Sequence, residues 1–319
     1  MSWRPTATLD ALKRRAVMLA AAREFFARRG VLEVETPILS AAAVSDPQIE
    51  SMATRVAGLA APLYLGTSPE YAMKRLLAAG SGDIYQICKV FRDGERGRWH
   101  NPEFTLIEWY RLGFDDSALM NEVEALVASL LSPYRLLGPA ERLSYSAALR
   151  LHAGVDAHEA SEHDLSEAAR RHGIECDADL DRDAKLDLLM GLIVGPRLGL
   201  ERPCFVCDYP ASQAALARLK PGQVPVAARF ELYLDGVELA NGFHELIDGV
   251  AQRGRFERDL TLRRDRGQVQ PPLDERLLAA LAAGLPDCAG VALGFDRLAA
   301  LALGAPRLAD AMAFTIDNA

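Results

Sequence analysis

The sequence predicts an α+β fold, an antiparallel sheet flanked by helices, and three observations carry that prediction. Residues 84–91 and 104–110 are rich in β-branched and aromatic side chains, and Gly94, Gly97 and Asn101-Pro102 mark a turn between them. A second pair of alternating runs flanks Asp235-Gly236, a strong signal for a two-residue hairpin. Around these hairpins lie segments with apolar residues at helical spacing, with no repeat, low-complexity tract or flexible linker among them.

In chain order, residues 1–8 read as a short tail. A helix over 9–29 follows, with Leu12, Ala16, Leu19 and Phe26 on one face, and it stops at Gly30 before an extended run over 31–39. Thr67 or Ser68 caps a helix that has Pro69 and Glu70 in its first turn, where a carboxylate meets the positive end of the helix dipole. In the first hairpin, strand alternation puts Phe104, Leu106, Glu108 and Tyr110 on one face and Thr105, Ile107 and Trp109 on the other. A carboxylate and a phenol on the same face as an aromatic suit a site for a flat ring at one end and a cation at the other. An ordinary hairpin with a solvated arginine loop has the same spacing.

Asp115 or Asp116 caps the next helix, which carries Leu119, Val123, Leu126 and Leu130 and ends at Pro133. Residues 141–200 are mixed and helical without a sharp motif. His158 and His163 lie five apart where a zinc-protease helix needs four, so that stretch reads as solvated helix. Cys204 and Cys207 have zinc or redox spacing, but no second pair answers them and residues 203–209 read as a buried strand.

Counting outward from Asp235-Gly236 pairs Leu234 with Val237, Tyr233 with Glu238 and Glu231 with Ala240. Glu231 and Glu238 become diagonal neighbours on one face. Two carboxylates so close repel unless a cation sits between them, and the spacing suits a magnesium ion shared with phosphates; a wet sheet face that screens the repulsion is the other reading. Residues 248–268 and 274–283 form helices, and 290–303 is a small-residue strand turning into a helix near Asp296-Arg297. An arginine in a first turn has the wrong sign for the dipole, and a bound polyphosphate would account for it.

Half of the 319 residues are apolar and the net charge is −8, with no basic tail or stripe, which argues against a broad nucleic-acid footprint. Five cysteines in an ordinary composition fit a reducing compartment. No apolar run approaches membrane-spanning length, so the expected location is the cytoplasm.

Three ordered stretches carry a resemblance. Residues 91–110, with His100-Asn-Pro-Glu-Phe104 and Glu108-Trp-Tyr110, resemble motif 2 of the class II aminoacyl-tRNA synthetases in the lysine-specific branch. Residues 25–37 resemble motif 1, and Gly290-Val-Ala-Leu-Gly-Phe-Asp-Arg297 resembles motif 3. The chain is most similar to the truncated paralogues of that branch that ligate (R)-β-lysine to a lysine of translation elongation factor P. The resemblance implies the class II catalytic fold over 9–319 with no anticodon-binding domain, since only about eight residues precede the helix that leads into motif 1. It also implies a homodimer built on motif 1, ATP as co-substrate and Mg2+.

Carried over residue by residue, Arg92 forks onto the α-phosphate and Arg297 meets the γ-phosphate, these two being the catalytic pair. Phe104 stacks on adenine, and Asp93, Gly94, His100, Asn101 and Leu239 lie by the nucleotide, with Gly294 leaving room for it. Glu231 and Glu238 hold magnesium. Glu108, Tyr110 and Glu245 catch the distal ammonium of the substrate, and Glu70, with Ser68 and Pro69 beside it, meets the other amine. Ala292 stands where the tRNA-charging enzymes have glycine, and one methyl is worth about 1–3 kcal/mol of discrimination. Together with the acidic balance this favours β-lysine transfer over tRNA charging. One departure is Arg92-Asp93-Gly94, where the family writes Arg-x-Glu; Glu95 comes one place late and substitutes only if the loop shifts. A truncated lysyl-tRNA synthetase and a catalytically silent regulatory paralogue are the alternatives.

Overall fold

The computed structural model describes residues 3–177 and 179–319, so Met1 and Ser2 of the expected tail fall outside it. The rest of that segment is tied down: Thr6 and Ala7 donate their amides to Ala313 and Met312 carbonyls at 2.8 and 3.1 Å. Thr8 caps α1 (Leu9–Ala27), accepting from Ala11 N at 3.1 Å. The buried stripe of α1 is Ala11, Met18, Ala22, Phe25 and Phe26, rotated from the expected face; Ala16 is exposed. The aromatic end sets the rotation, because Phe26 stacks on Tyr85 at 4.3 Å and meets Trp109 edge-on at 5.3 Å.

The extended run after Gly30 is broken into β1 (Leu32–Glu33) and β2 (Leu39–Ser40). The latter joins β3 (Ala53–Thr54) and β4 (Leu63–Leu65) in a small separate sheet. Next come α2 (Glu70–Ala78), β5 (Ile84–Phe91), β6 (Glu103–Leu112) and α3 (Asp116–Leu131), the last capped by Asp115. β7 (Glu141–Ser144), α4 (Tyr145–Ala153), α5 (Glu162–Arg171) and α6 (Arg182–Leu189) lead to β8 (Cys204–Pro210). The expected helix through His158 starts only at Glu162, because Ser161 and Asp164 close a capping box there. Beyond it lie β9 (Leu219–Lys220), β10 (Val226–Leu234), β11 (Val237–His244), α7 (Gly249–Asp265), α8 (Glu275–Gly284), β12 (Cys288–Gly294) and α9 (Phe295–Ala302).

The main sheet runs β1-β5-β6-β12-β11-β10-β8-β7, with β9 beside β10. Its outermost pairs, β1 with β5 and β7 with β8, are parallel and the others antiparallel. One face packs against α1, α3 and α9 through Ile107, Trp109, Leu232, Ala240 and Leu293. The opposite face is covered at its two ends only. At one end α2, α7 and α8 close over Ile84, Tyr110 and Cys288; at the other, α4 to α6 close over Val206, Tyr209 and Tyr233. The middle of that face, left open between two small cores, is the floor of the site. Among the described residues no helix is long and apolar enough to cross a membrane.

The second hairpin departs from the simple count. Leu234 pairs with Val237 and Tyr233 with Glu238 as expected, but then Leu232 pairs with Ala240 and Glu231 with Asn241. Leu239 is an extra residue, a β-bulge.

Candidate active site

Cross-strand rows build the floor. Glu108, Ala292, Asn241 and Glu231 lie in one row across β6, β12, β11 and β10; Tyr110, Gly290, Phe243 and Arg229 form the next. Partners directly opposite point to the same face, so Glu108, Ala292, Asn241 and Glu231 share one surface.

At the Phe104 end is a cavity open to solvent, lined by Arg92, Glu95, His100, Asn101, Phe104, Glu238, Leu239, Gly294 and Arg297 among others. Eight residues expected from distant parts of the sequence thus meet in one place. The Arg92 guanidinium lies 5.1 Å from the Phe104 ring centroid and 3.5 Å from Glu95 Oε1. Arg297 is held in three directions: Nε donates to Trp99 O at 3.1 Å, Nη1 to Glu238 O at 2.9 Å, and Nη2 lies 2.8 Å from His100 Nε2. Burial and the adjacent Arg297 lower the His100 pKa, which keeps the imidazole neutral as an acceptor for that guanidinium. The helix behind Arg297 is anchored by Asp296, which accepts from Thr105 N at 2.7 Å and pairs with Arg15. Gly294 precedes α9 with no side-chain cap, and a Cβ there would make only ordinary contacts.

Asp93 and Gly94 do not reach this cavity. Asp93 Oδ1 accepts from Gly94 N at 2.9 Å and Gly94 has φ +76°, a turn that glycine adopts without strain. That turn carries Glu95 to Arg92, so the late glutamate takes the place beside the arginine. Asn101 lines the cavity, but its amide is spent on Glu103 O at 2.6 Å and Ile316 N at 3.1 Å.

Toward the other end of β6 is an acid pocket. Glu108 is 2% exposed and accepts from Ser68 Oγ and Tyr110 Oη, each at 2.8 Å. Ser68 Oγ also accepts from Glu70 N at 3.0 Å, so the hydroxyl that starts α2 also fixes Glu108. Glu245, just past the end of β11, is fully buried; its Oε1 has no hydrogen-bond partner among the described residues. Burial, with the Glu70 charge adding, pushes the Glu108 carboxyl up to about 7; burial pushes Glu245 up to about 8 against the pull of Lys74.

Two residues here escaped sequence reasoning. Lys74 Nζ lies 2.6 Å from Glu70 and 2.6 Å from Glu245. Four residues after Glu70 it looks like an ordinary surface helix pair, and only the fold buries it. Gly290 pairs with Tyr110, and a Cβ there would stand 2.2 Å from the Tyr110 ring and 2.7 Å from Glu245 Oε1. The small-residue run of β12 was its only signal. Pro69 occupies the position preceding α2, and Ala292 lies opposite Glu108 on the shared surface.

Glu231 and Glu238 face the same way, but they are not equivalent. Glu231 accepts from Arg229 Nη2 at 2.7 Å and Tyr233 Oη at 2.6 Å. The Glu238 side chain is 42% accessible at the base of a cleft and stands 3.7 Å from Arg297. The surrounding protein still raises its pKa, burial first and the Glu231 charge second. Among the described residues no group of three His, Cys, Asp or Glu could hold a metal alone. Two carboxylates fit Mg2+ when phosphates and water complete the shell. Cys204 and Cys207 are free thiols three apart on β8, hence on opposite faces, and form no site.

An arginine-walled cavity beside an acid pocket, both on one open face of an antiparallel sheet, is the layout expected of an adenylate-forming synthetase domain. The family described as tRNA synthetases class II (D, K and N) matches residues 1–318, and the chain belongs to it. The chain is also 50% identical, over 100% of its length and 98% of theirs, to proteins of Salmonella dublin, Salmonella heidelberg and Salmonella agona named "Elongation factor P--(R)-beta-lysine ligase".

Proposed function

We propose that this chain uses ATP and Mg2+ to activate (R)-β-lysine as an aminoacyl-adenylate and transfers the acyl group to a lysine side chain of translation elongation factor P. One observation carries the reading: β6 presents Phe104 to the arginine-walled cavity and Glu108 to the acid pocket, on one face. Four residues of strand separate them by about 13 Å, so a nucleotide and a diamino acid can meet between them. The full-length relatives named above support the choice of substrate and acceptor.

The substrate carboxylate attacks the α-phosphorus and pyrophosphate leaves; the acceptor amine then attacks the acyl carbon and AMP leaves. Little covalent work falls to the protein, so positioning and charge compensation carry catalysis. Arg92 offers a planar fork to the α-phosphate and Arg297 to the γ-phosphate. Glu231 and Glu238 would hold Mg2+, which supplies charge neutralisation on the phosphates when bound. Glu108, Tyr110 and Glu245 take the distal ammonium, and Glu70 beside Ser68 and Pro69 the other amine. Glu95 standing by Arg92 supports chemistry over a silent paralogue.

Exposed Val17 on α1 and Leu32, Ile38 and Leu39 on the extended run that follows it support a homodimer through the motif 1 helix and strand, in the cytoplasm with its acceptor. The decisive experiment measures pyrophosphate release with (R)-β-lysine, α-lysine or no amino acid, with and without elongation factor P. Release strongest with β-lysine and a mass gain on the factor supports the reading. Charging of tRNA instead would make it a minimal lysyl-tRNA synthetase, and ATP binding without release would make it a silent paralogue.

A further inference from the structure

The acid pocket contains a cation of its own that the proposed reaction leaves unused. Lys74 is 1% exposed, and its ammonium bridges Glu70 Oε1 and Glu245 Oε2. Burial alone would drive a lysine toward its neutral form. Here Glu245 and Glu70 outweigh burial and hold the Lys74 pKa above its ordinary value, so the charge is permanent. The other titratable groups around the cluster include Tyr71 on α2, Tyr110 on β6, Cys88 on β5 and Cys288 on β12; burial raises all four, and they stay neutral.

The count is then simple. Glu70, Glu108 and Glu245 contribute three negative charges when ionised and Lys74 one positive. A buried surplus of two negative charges is costly, and two further ammonium groups cancel it. Among the described residues the acceptors that Lys74 leaves unfilled include Glu108, met only by hydroxyls, and Glu245 Oε1, which has no hydrogen-bond partner.

We propose that Lys74 is a specificity-determining and positioning residue: its fixed ammonium holds Glu70 and Glu245 together and sets the pocket charge so that an amino acid with two ammonium groups neutralises it. This rests on the diamino-acid reading given above. The pocket counts charges, and Lys74 is the counterweight.

The test uses the full chain, ATP–pyrophosphate exchange and the variants Lys74→Met and Lys74→Arg. Without the cation the carboxylates hold protons more tightly. For Lys74→Met the KM for (R)-β-lysine at pH 7 should rise about ten-fold, the equivalent of one pKa unit. The pH at which that KM levels off should move upward, with kcat and the KM for ATP changed less. Lys74→Arg should restore the wild-type pH profile; a purely structural lysine would lower kcat and melting temperature without moving it. A Lys74→Met profile that superimposes on the wild type overturns the proposal.

Should Lys74→Met not fold, the wild type decides by calorimetry in two buffers of different ionisation enthalpy. Binding of β-lysine at pH 7 should expel protons, and analogues lacking either amine should expel fewer and bind at least about ten-fold more weakly. Equal binding of a single-amine analogue, or no proton release, overturns it. Absence of any exchange with every diamino acid in the wild type would instead strike the proposed function itself.

Discussion

Amino-acid binding should tighten steeply as pH rises from 6 to 8.5, while ATP binding changes little. The perturbation acts on Glu108 and Glu245, whose carboxyls stand near 7 and near 8 in the ligand-free site. An ammonium binds the ionised carboxylate, so each proton must leave before the substrate can be held. Two independent groups with those values weaken binding by about twenty-fold at pH 7 and about a thousand-fold at pH 6, relative to full ionisation. Because Glu108 and Glu245 titrate as a coupled pair, the thousand-fold figure is a ceiling; log KM should fall with a slope between one and two below about pH 7.5 and flatten above it. Stability runs the other way. Both carboxyls ionise near 4.5 in the unfolded chain, so the fold binds the extra protons between that value and 8. The ligand-free melting temperature should therefore fall as pH climbs through this window, and saturating substrate should return it. The assay is pyrophosphate exchange across the pH range, with the KM for ATP as internal control. A flat amino-acid KM between pH 6 and 8.5 would refute the assignment of these two carboxylates to the substrate amines.

Ala292→Gly removes a methyl from the row shared with Glu108 and should improve α-lysine relative to β-lysine by up to about 1–3 kcal/mol in kcat/KM; unchanged relative rates of the two isomers would count against it. Glu95→Gln should raise the KM for ATP about ten-fold by loosening Arg92, whereas Gly94→Ala should cost about 1 kcal/mol of left-handed backbone strain in a thermal melt and shift that KM less. Arg297→Lys, which cannot span Trp99 O, Glu238 O and His100 at once, should lower kcat about a hundred-fold with melting temperature maintained; single-turnover adenylate formation reads it.

Much of the site was legible because strand alternation is local. Phe104, Glu108 and Tyr110 on one face, and Trp109 and Ile107 on the other, follow from a period of two, and the structure places them so. Helix starts at Asp115, Asp248 and Asp274 were equally legible, since capping is a bond within one turn. What stayed hidden depends on residues far apart. Arg263 on α7 sits in a run of charged residues that gives it no distinction, yet it is 1% exposed and its guanidinium donates to Ser45, Asp46, Ile49 and Val269 carbonyls and to Glu50. It pins the loop whose Glu50 carbonyl accepts from Asp93 N at 2.9 Å. No local pattern separates such an arginine from its solvated neighbours. Lys74 was lost for the same reason.

The bulge at Leu239 explains how the two halves of the site share a face. In a strand of unbroken alternation, Glu238 would share its side with Ala240 and Gly242, and Glu245 would point to the opposite side. Instead Leu239 and Ala240 both pack in the core under the sheet, opposite the face that holds Glu238. After that extra residue Asn241, Phe243 and Glu245 take the parity of Glu238: Asn241 meets Arg229 at 3.2 Å, and Glu245 meets Lys74. Gly242 is left against Phe230, where a Cβ would stand 2.4 Å from the ring. One inserted residue thus turns the carboxylate of the acid pocket and the carboxylate by the nucleotide cavity to the same surface. Bulges of this kind recur beside active sites because they re-aim side chains without breaking the ladder for long. A hairpin counted from its turn alone has no means of anticipating it, since the signal is a pair of consecutive apolar residues that only the packed sheet makes meaningful.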